Sequence, residues 1–241
     1  MKKAYANITE GIRRYFKENN FKRAVIGLSG GIDSSLSAKL VADAIGKENL
    51  YGILMPDKGV TSKTSVEHAK LVAESLGIKY SIHPINSFLK PFKKLSWKEN
   101  HIAIINTKSR IRANILFNYA NTHDALVIGT SNKSELLLGY FTKYGDGAID
   151  IEVIGSLWKS EVFEMAKSLG LPDEIINKEP TAELFHGHTD EKELGAKYES
   201  IDKILKKLIK GKKPSTKLEK NIARRMKANE HKRKAIPVIK R

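Results

Sequence analysis

The sequence predicts an α/β fold, a parallel doubly wound sheet with helices on both faces and extra helices at the C-terminal end. Three observations carry this. Short apolar, β-branched runs alternate with stretches of helical apolar spacing along the first half of the chain. The strand–helix–strand–helix–strand order at this spacing calls for parallel strands joined by right-handed crossovers. The first strand also runs straight into a glycine-rich loop at a helix start, the place where open α/β sheets collect ligands.

The elements follow in order. Ile8, Ile12, Tyr15 and Phe16 have helical spacing, giving an N-terminal helix that ends near Asn19-Asn20. Ala24-Val25-Ile26, between charge and glycine, is a buried strand, and from Asp33 the spacing of Leu36, Leu40, Val41, Ala44 and Ile45 is helical. Residues 50–55 form a second strand stopped by Pro56. Thr64 to Leu76 is an amphipathic helix ended by Gly77, and residues 78–82 alternate as a third strand. Residues 86–100 are irregular. A long helix spans about Ile102 to Tyr119, and residues 125–128 are a fourth, fully apolar strand. Asn132 to Leu138 is a short helix, and residues 139–150 form a glycine-rich loop with exposed aromatic and charged residues, suited to contacting a ligand. Val162 to Leu169 is helical, Pro172 opens a short helical turn, and residues 178–191 lack a period until their end. Leu194 to Ile209 and Leu218 to Ala228 are basic amphipathic helices. No internal repeat or linker divides the chain, so residues 1–241 are expected to be one domain with a basic helical tail from about 198.

Composition narrows the function classes. A chain of 241 residues with 41% hydrophobic content suits a soluble globular protein. The absence of cysteine excludes disulfides, thiolate metal sites and thiol nucleophiles, and fits a cytoplasmic location. No apolar run is long enough for a membrane span, and the N-terminus has no signal core. The net charge is +16, and residues 201–241 carry 16 lysines and arginines against three acids. Such an end either meets an anionic partner or forms a solvated helical face.

The stretch Gly27-Leu28-Ser29-Gly30-Gly31-Ile32-Asp33-Ser34 has the chemistry of a phosphate cradle. Glycines let backbone N–H groups approach an anion, the helix start adds partial positive charge, and the serines can donate hydrogen bonds. Asp33 would repel phosphate by itself, but it is explained if it holds a magnesium ion shared with the phosphates. No Walker A or GxGxxG pattern is present. As an isolated feature, this stretch would also suit an ordinary helix start with Asp33 as its N-terminal charge.

SGGIDSS resembles the pyrophosphate-binding loop of ATP pyrophosphatases that activate a substrate as its adenylate. Within that superfamily, residues 129–159, GTSNKSELLLGYFTKYGDGAIDIEVIGSLWK, closely resemble the NAD synthetase family, as do NTKSRIR at 106–112, KEPTAEL at 178–184, TDEKELG at 189–195 and EHKR at 230–233. The resemblance runs from about Gly27 to Arg233. It implies a Rossmann-like fold of the adenine nucleotide alpha hydrolase type. The implied reaction is amidation of nicotinic acid adenine dinucleotide (deamido-NAD) by ammonia, with ATP as co-substrate. It implies that Gly27, Leu28, Ser29, Gly30, Gly31, Ile32, Asp33 and Ser34 hold the ATP phosphates, with Thr130, Lys159 and Thr181 also contacting ATP. Asp33 and Glu135 would ligate Mg2+, and Lys159 would join them in catalysis. Arg110, Lys143, Asp150, His231 and Lys232 would bind the dinucleotide. It further implies a homodimer. The family more often has glutamine where His188 stands. The chain has neither room for an amidohydrolase domain nor a cysteine to serve one, so free ammonia is the expected nitrogen source.

Residue type alone supports blander readings. Glu135 would pass for a helix-surface carboxylate, Arg110 for a solvated face, and Lys143 with Asp146 or Asp150 for loop ion pairs, while His186 with His188 hint at metal but lack a third ligand. Two rival functions share some features. A tRNA-modifying adenylating enzyme would explain SGGIDSS and the basic tail but not GYFTKYGDGAID. A non-enzymatic nucleic-acid-binding protein would explain the tail but leaves Asp33 and Glu135 without purpose. The motifs therefore argue against nucleic acid and against a membrane as partners.

Overall fold

The computed structural model describes residues 1–181, 187 and 189–239. In chain order its elements are α1 (Lys2–Glu18), β1 (Arg23–Gly27), α2 (Ile32–Ile45), β2 (Leu50–Leu54), α3 (Lys63–Leu76), β3 (Lys79–Ile82), α4 (Asn86–Leu89), α5 (His101–His123), β4 (Ala125–Gly129), α6 (Lys133–Leu138), β5 (Ile151–Glu152), α7 (Lys159–Ser168), α8 (Asp173–Ile176), α9 (Asp190–Leu194), α10 (Tyr198–Ile209) and α11 (Lys217–Ala228). The strands form one sheet in the order β3-β2-β1-β4-β5, with every neighbouring pair parallel. The chain winds outward from β1 to β3, then crosses back through α5 to lay β4 on the other side of β1. The strand order reverses between β1 and β4, which opens a crevice at their carboxyl ends.

Side-chain alternation along the strands builds the two layers. Ala24, Ile26, Leu126 and Ile128 face one way and pack with Ile12 and Phe16 of α1, Leu36 and Leu40 of α2, Val72 of α3 and Met165 of α7. Val25, Ile53 and Val127 face the other way, against Ile111 and Ala120 of α5. A third cluster, Leu138, Trp158, Tyr198, Ile201, Leu205 and Ile222, seats the C-terminal helices on α6 and α7. The expected doubly wound parallel sheet with added C-terminal helices is therefore present. No helix among the described residues is long and apolar enough to cross a membrane.

Three elements differ from expectation. β5 has only two residues, and beside it the Asp150 side chain accepts from the Val127 N–H of β4 at 2.7 Å. No local periodicity signals so short a strand. The helix expected over Leu194–Ile209 begins only at Tyr198 as α10, and a separate short helix that was not expected, α9, precedes it and is closed by Gly195 at φ +76°. α5 is longer at both ends than expected, capped by Asn100, whose side chain accepts from the Ala103 N–H, and closed by Asp124 at φ 50°. His186 and His188 lie outside the described residues.

Candidate active site

β1 ends at Gly27, and α2 begins at Ile32 after four intervening residues. The intervening turn is held by its own serines. The Ser29 Oγ accepts from the Gly31 N–H at 3.2 Å and lies 3.0 Å from the Ser34 Oγ, while the Ser34 and Ser35 hydroxyls both donate to the Gly31 carbonyl. Gly31, the N-cap of α2, brings no side-chain acceptor to the helix start, which faces the crevice. A helix N-terminus without a side-chain cap is a natural seat for an anion.

Three charged side chains meet beside this turn. Asp33 comes from the first turn of α2, Glu135 from the first turn of α6 and Lys159 from the start of α7. The Lys159 ammonium, on a residue only 1% exposed, forms ion pairs with Asp33 and, at 3.5 Å, with Glu135. It also lies 5.0 Å from the centre of the Tyr198 ring. Asn132 ties the group together: its amide donates to Asp33 at 2.9 Å, its Oδ1 accepts from the Glu135 N–H, and Glu135 returns the bond to the Asn132 N–H. That reciprocal arrangement is a capping box, so one local motif fixes the direction of Glu135.

One buried ammonium shared by two half-buried carboxylates leaves an excess negative charge. Burial, followed by the proximity of Asp33, pushes the Glu135 carboxyl up to about 8, against the pull of Lys159 and the Asn132 N–H. Lys159 is raised above its ordinary value: burial works against its charge, but Asp33 and Glu135 outweigh it. Nearby Glu152, at the end of β5, is also pushed up to about 8, chiefly by burial, although it accepts from the Ser131 N–H at 2.6 Å. The consequence for stability has a definite sign. Between an unfolded value near 4.5 and a folded value of about 8, the native protein keeps a proton that the unfolded chain releases, so stability falls as pH rises across that window. Thermal midpoints between pH 5 and 8, without nucleotide or divalent cation, should fall more steeply for the wild type than for Glu135→Gln. Parallel curves would show that Glu135 is not held protonated.

These residues line a cleft of about 610 Å³, within the usual range for small-molecule sites. Of the residues expected to act, Gly27, Leu28, Ser29, Gly31, Ile32, Asp33, Ser34, Thr130, Glu135, Lys159, Thr181 and Lys232 border it. Gly30 sits just behind, its carbonyl accepting from Lys178. Lys232 donates to the Gly139 and Phe141 carbonyls at 2.8 Å, and burial lowers its pKa. Arg110, Lys143 and His231 form a chain away from the acid pair: Arg110 donates to the Lys143 carbonyl, and the Lys143 ammonium donates to the His231 carbonyl. Asp150 is engaged within the sheet, where its carboxylate accepts from Val127 and its carbonyl from the Tyr15 hydroxyl. Lys143 makes no ion pair with Asp146, which instead accepts from Ser109 and from the Thr142 N–H.

A family model described as NAD synthase matches residues 4–236. This chain belongs to the NAD synthase family. It is 47% identical to the NH3-dependent NAD+ synthetase of Methanocaldococcus jannaschii over 98% of this chain and 96% of that protein. It is 42% identical to the enzyme of the same name from Archaeoglobus fulgidus, over 99% and 96%. Among solved structures, it resembles an NMN synthetase from Francisella tularensis (TM-score 0.88, 32% identity, 99% of this chain and 98% of that one). It also resembles an NH3-dependent NAD synthetase from Campylobacter jejuni solved with a nitrate ion (TM-score 0.81, 36% identity, 99% and 98%).

Within this NAD synthase chain, sequence reasoning missed four contributors to the site. Asn132 and Glu152 lie inside the quoted motif, but only contact across strands and helices reveals their roles. Lys178 reaches the Gly30 carbonyl of the glycine-rich turn and the Ser65 hydroxyl, 2.7 Å away, from the aperiodic stretch after α8. Tyr198 lies on the apolar stripe of α10 with Ile201 and Leu205, and so reads from sequence as core.

Proposed function

We propose that this chain catalyses the ATP-dependent amidation of nicotinic acid adenine dinucleotide by ammonia, yielding NAD, AMP and pyrophosphate. The observation that supports it most is the convergence of Asp33, Glu135 and Lys159 at the mouth of the Gly27–Ser34 turn. A carboxylate oxygen of the substrate attacks the α-phosphorus of ATP, the bond to pyrophosphate breaks, and the acyl adenylate forms. Ammonia then attacks the acyl carbon, AMP leaves and a proton is released. The turn and the start of α2 hold the phosphates, and Lys159 offers positive charge to the phosphoryl group during transfer. The paired acids fit Mg2+: the donors are oxygens, and both already converge on a single cation. Asp33 and Glu135 would hold the ion, which when bound neutralises phosphate charge.

The wider reading is of a cytoplasmic, single-domain enzyme that works as a homodimer. Family resemblance supports the dimer, and dependence on ATP supports the location. Arg110, Lys143, Asp150, His231 and Lys232 are assigned to the dinucleotide on the same resemblance, and Thr130 and Thr181 to ATP.

A second reading has its own support. The Francisella tularensis neighbour is named an NMN synthetase, so the amidated substrate would be the mononucleotide. One assay separates the two. The protein is supplied with ATP, Mg2+ and ammonium, together with either nicotinic acid adenine dinucleotide or nicotinic acid mononucleotide. NAD formed with one AMP and one pyrophosphate, and a higher kcat/KM for the dinucleotide, is the expected result. A higher kcat/KM for the mononucleotide would establish the second reading, and ADP as the nucleotide product would overturn both.

A further inference from the structure

The start of α7 presents a problem that the chain solves from far away. The N-cap of this helix is Trp158, which has no side-chain oxygen to accept from the first amides. Glu161 accepts from the Trp158 N–H at 2.9 Å, but the next two amides lead elsewhere. The Ser160 N–H donates to Oδ2 of Asp202 at 3.0 Å, and the Lys159 N–H donates to the Ser134 Oγ at 3.1 Å. The Ser134 hydroxyl in turn donates to Oδ1 of Asp202. Asp202 lies on α10 and is 2% exposed, among Tyr198, Ile201 and Leu205. One buried carboxylate thus accepts from one amide of the helix that carries Lys159 and, through the Ser134 hydroxyl, supports the acceptor of the amide before it. Through Ser134 it also grips α6 at the residue before Glu135.

We propose that Asp202 is a positioning residue for the reaction. Its carboxylate, relayed through the Ser134 hydroxyl, sets the place of the Lys159 ammonium relative to Asp33 and Glu135. A negative charge suits the N-terminus of α7, and it accepts two hydrogen bonds where a neutral side chain of the same shape would accept from one side only. The tail helices therefore act on the site as well as covering apolar surface. This proposal rests on the amidation reading above and is tested separately from it.

The test compares wild type with Asp202→Asn, Ser134→Ala, the double variant and Leu205→Val, which loosens the same apolar cluster without touching the amides of α7. Each is assayed for thermal midpoint, for kcat and KM of NAD formation, and for the rate of pyrophosphate release before ammonia is added. Asp202→Asn and Ser134→Ala should each lower kcat and the pyrophosphate rate about tenfold or more, with the KM for ATP within about twofold, because the lost interaction matters in the transition state. The double variant should be no worse than the poorer single one, since the two residues act as a unit. Leu205→Val should lower the midpoint and leave kcat within about twofold. If Asp202→Asn does not fold, Ser134→Ala against Leu205→Val decides the matter. A kcat within twofold of wild type in Ser134→Ala, a loss confined to KM, additive effects in the double variant, or an equal kcat loss in Leu205→Val would each overturn the proposal. A wild type that forms no NAD would overturn the amidation reading instead.

Discussion

Replacing Lys159 with methionine is expected to lower kcat by about a thousandfold or more, with little change in the KM for ATP, as removal of a preorganised charge from a transferring phosphoryl group does elsewhere. Methionine keeps most of the buried volume, so packing around α7 is largely retained. What disappears is the only cation within hydrogen-bonding distance of both Asp33 and Glu135 among the described residues. Removing one partner of a buried ion pair costs about 3–5 kcal/mol when the charge left behind has no other outlet. Here there is an outlet, because Glu135 is already pushed up to about 8 and can keep its proton. The destabilisation should therefore be small near pH 6 and grow as pH rises through 8 and beyond, where both acids must ionise without a counter-charge. Added Mg2+ should raise the thermal midpoint of the variant more than that of wild type, since it restores positive charge between the same two acids. A variant within tenfold of wild-type kcat would remove Lys159 from the phosphoryl-transfer step. A pH-independent loss of stability would show that its ammonium does not balance the acid pair.

The layers of the fold are legible in the sequence because the strands are written locally, whereas the acid pair is named through the family resemblance and not through residue type. The strands Ala24–Ile26 and Ala125–Ile128 are apolar throughout, since helices cover both of their faces. Asp33 stands in the first turn of α2, directly after a glycine-rich turn of distinctive composition, and Glu135 occupies the third helical position after Asn132, where a capping box holds it. What the sequence did not disclose depends on residues distant along the chain. β5 pairs with β4 next to Asp150, whose carboxylate accepts from the Val127 N–H 23 residues away in sequence. Asp202 lies on an apolar helical stripe, and its purpose appears only when α10 packs on α6 and α7. One local cue was present: a carboxylate among Tyr198, Ile201 and Leu205 is expensive to bury unless something donates to it. The expected dinucleotide residues divide in the same way. Lys232 borders the cleft because it caps carbonyls after α6, whereas Asp150 is spent on the sheet. The blander reading of Glu135 as a surface carboxylate fails on geometry, since it is half-buried and paired with a lysine from a helix that begins 24 residues later.

Substitution of two adjacent glycines should have opposite consequences. Gly30 takes φ +74°, and a Cβ placed there would lie 2.1 Å from the Ser65 carbonyl oxygen and 3.1 Å from the Ala69 backbone nitrogen. Both obstacles are backbone of α3, and Ser65 is fully buried, so no side chain can swing aside. Gly31 has an ordinary φ of −97°, and its added Cβ would meet only the Ser29 Oγ at 3.3 Å, a side-chain atom that needs to yield by no more than a few tenths of an ångström while keeping its bonds in the turn. For Gly30→Ala, left-handed strain and the steric clash together should cost about 3 kcal/mol or more, which for a chain of this size lowers the thermal midpoint by about 6–12 °C. Because relief can come only by shifting the turn away from α3, the KM for ATP should also rise about tenfold or more, a loss of about 1.4 kcal/mol or more in binding. For Gly31→Ala the midpoint should stay within about 2 °C of wild type, the range expected when no strained backbone or packed core is disturbed. Any change there should fall on ATP, whose phosphates would approach that backbone. Melting curves and ATP titrations of the two variants side by side make the comparison. Equal midpoints would mean that the close approach of Gly30 to α3 does not constrain the turn, and an unchanged KM in Gly30→Ala would mean that the turn does not hold the phosphates.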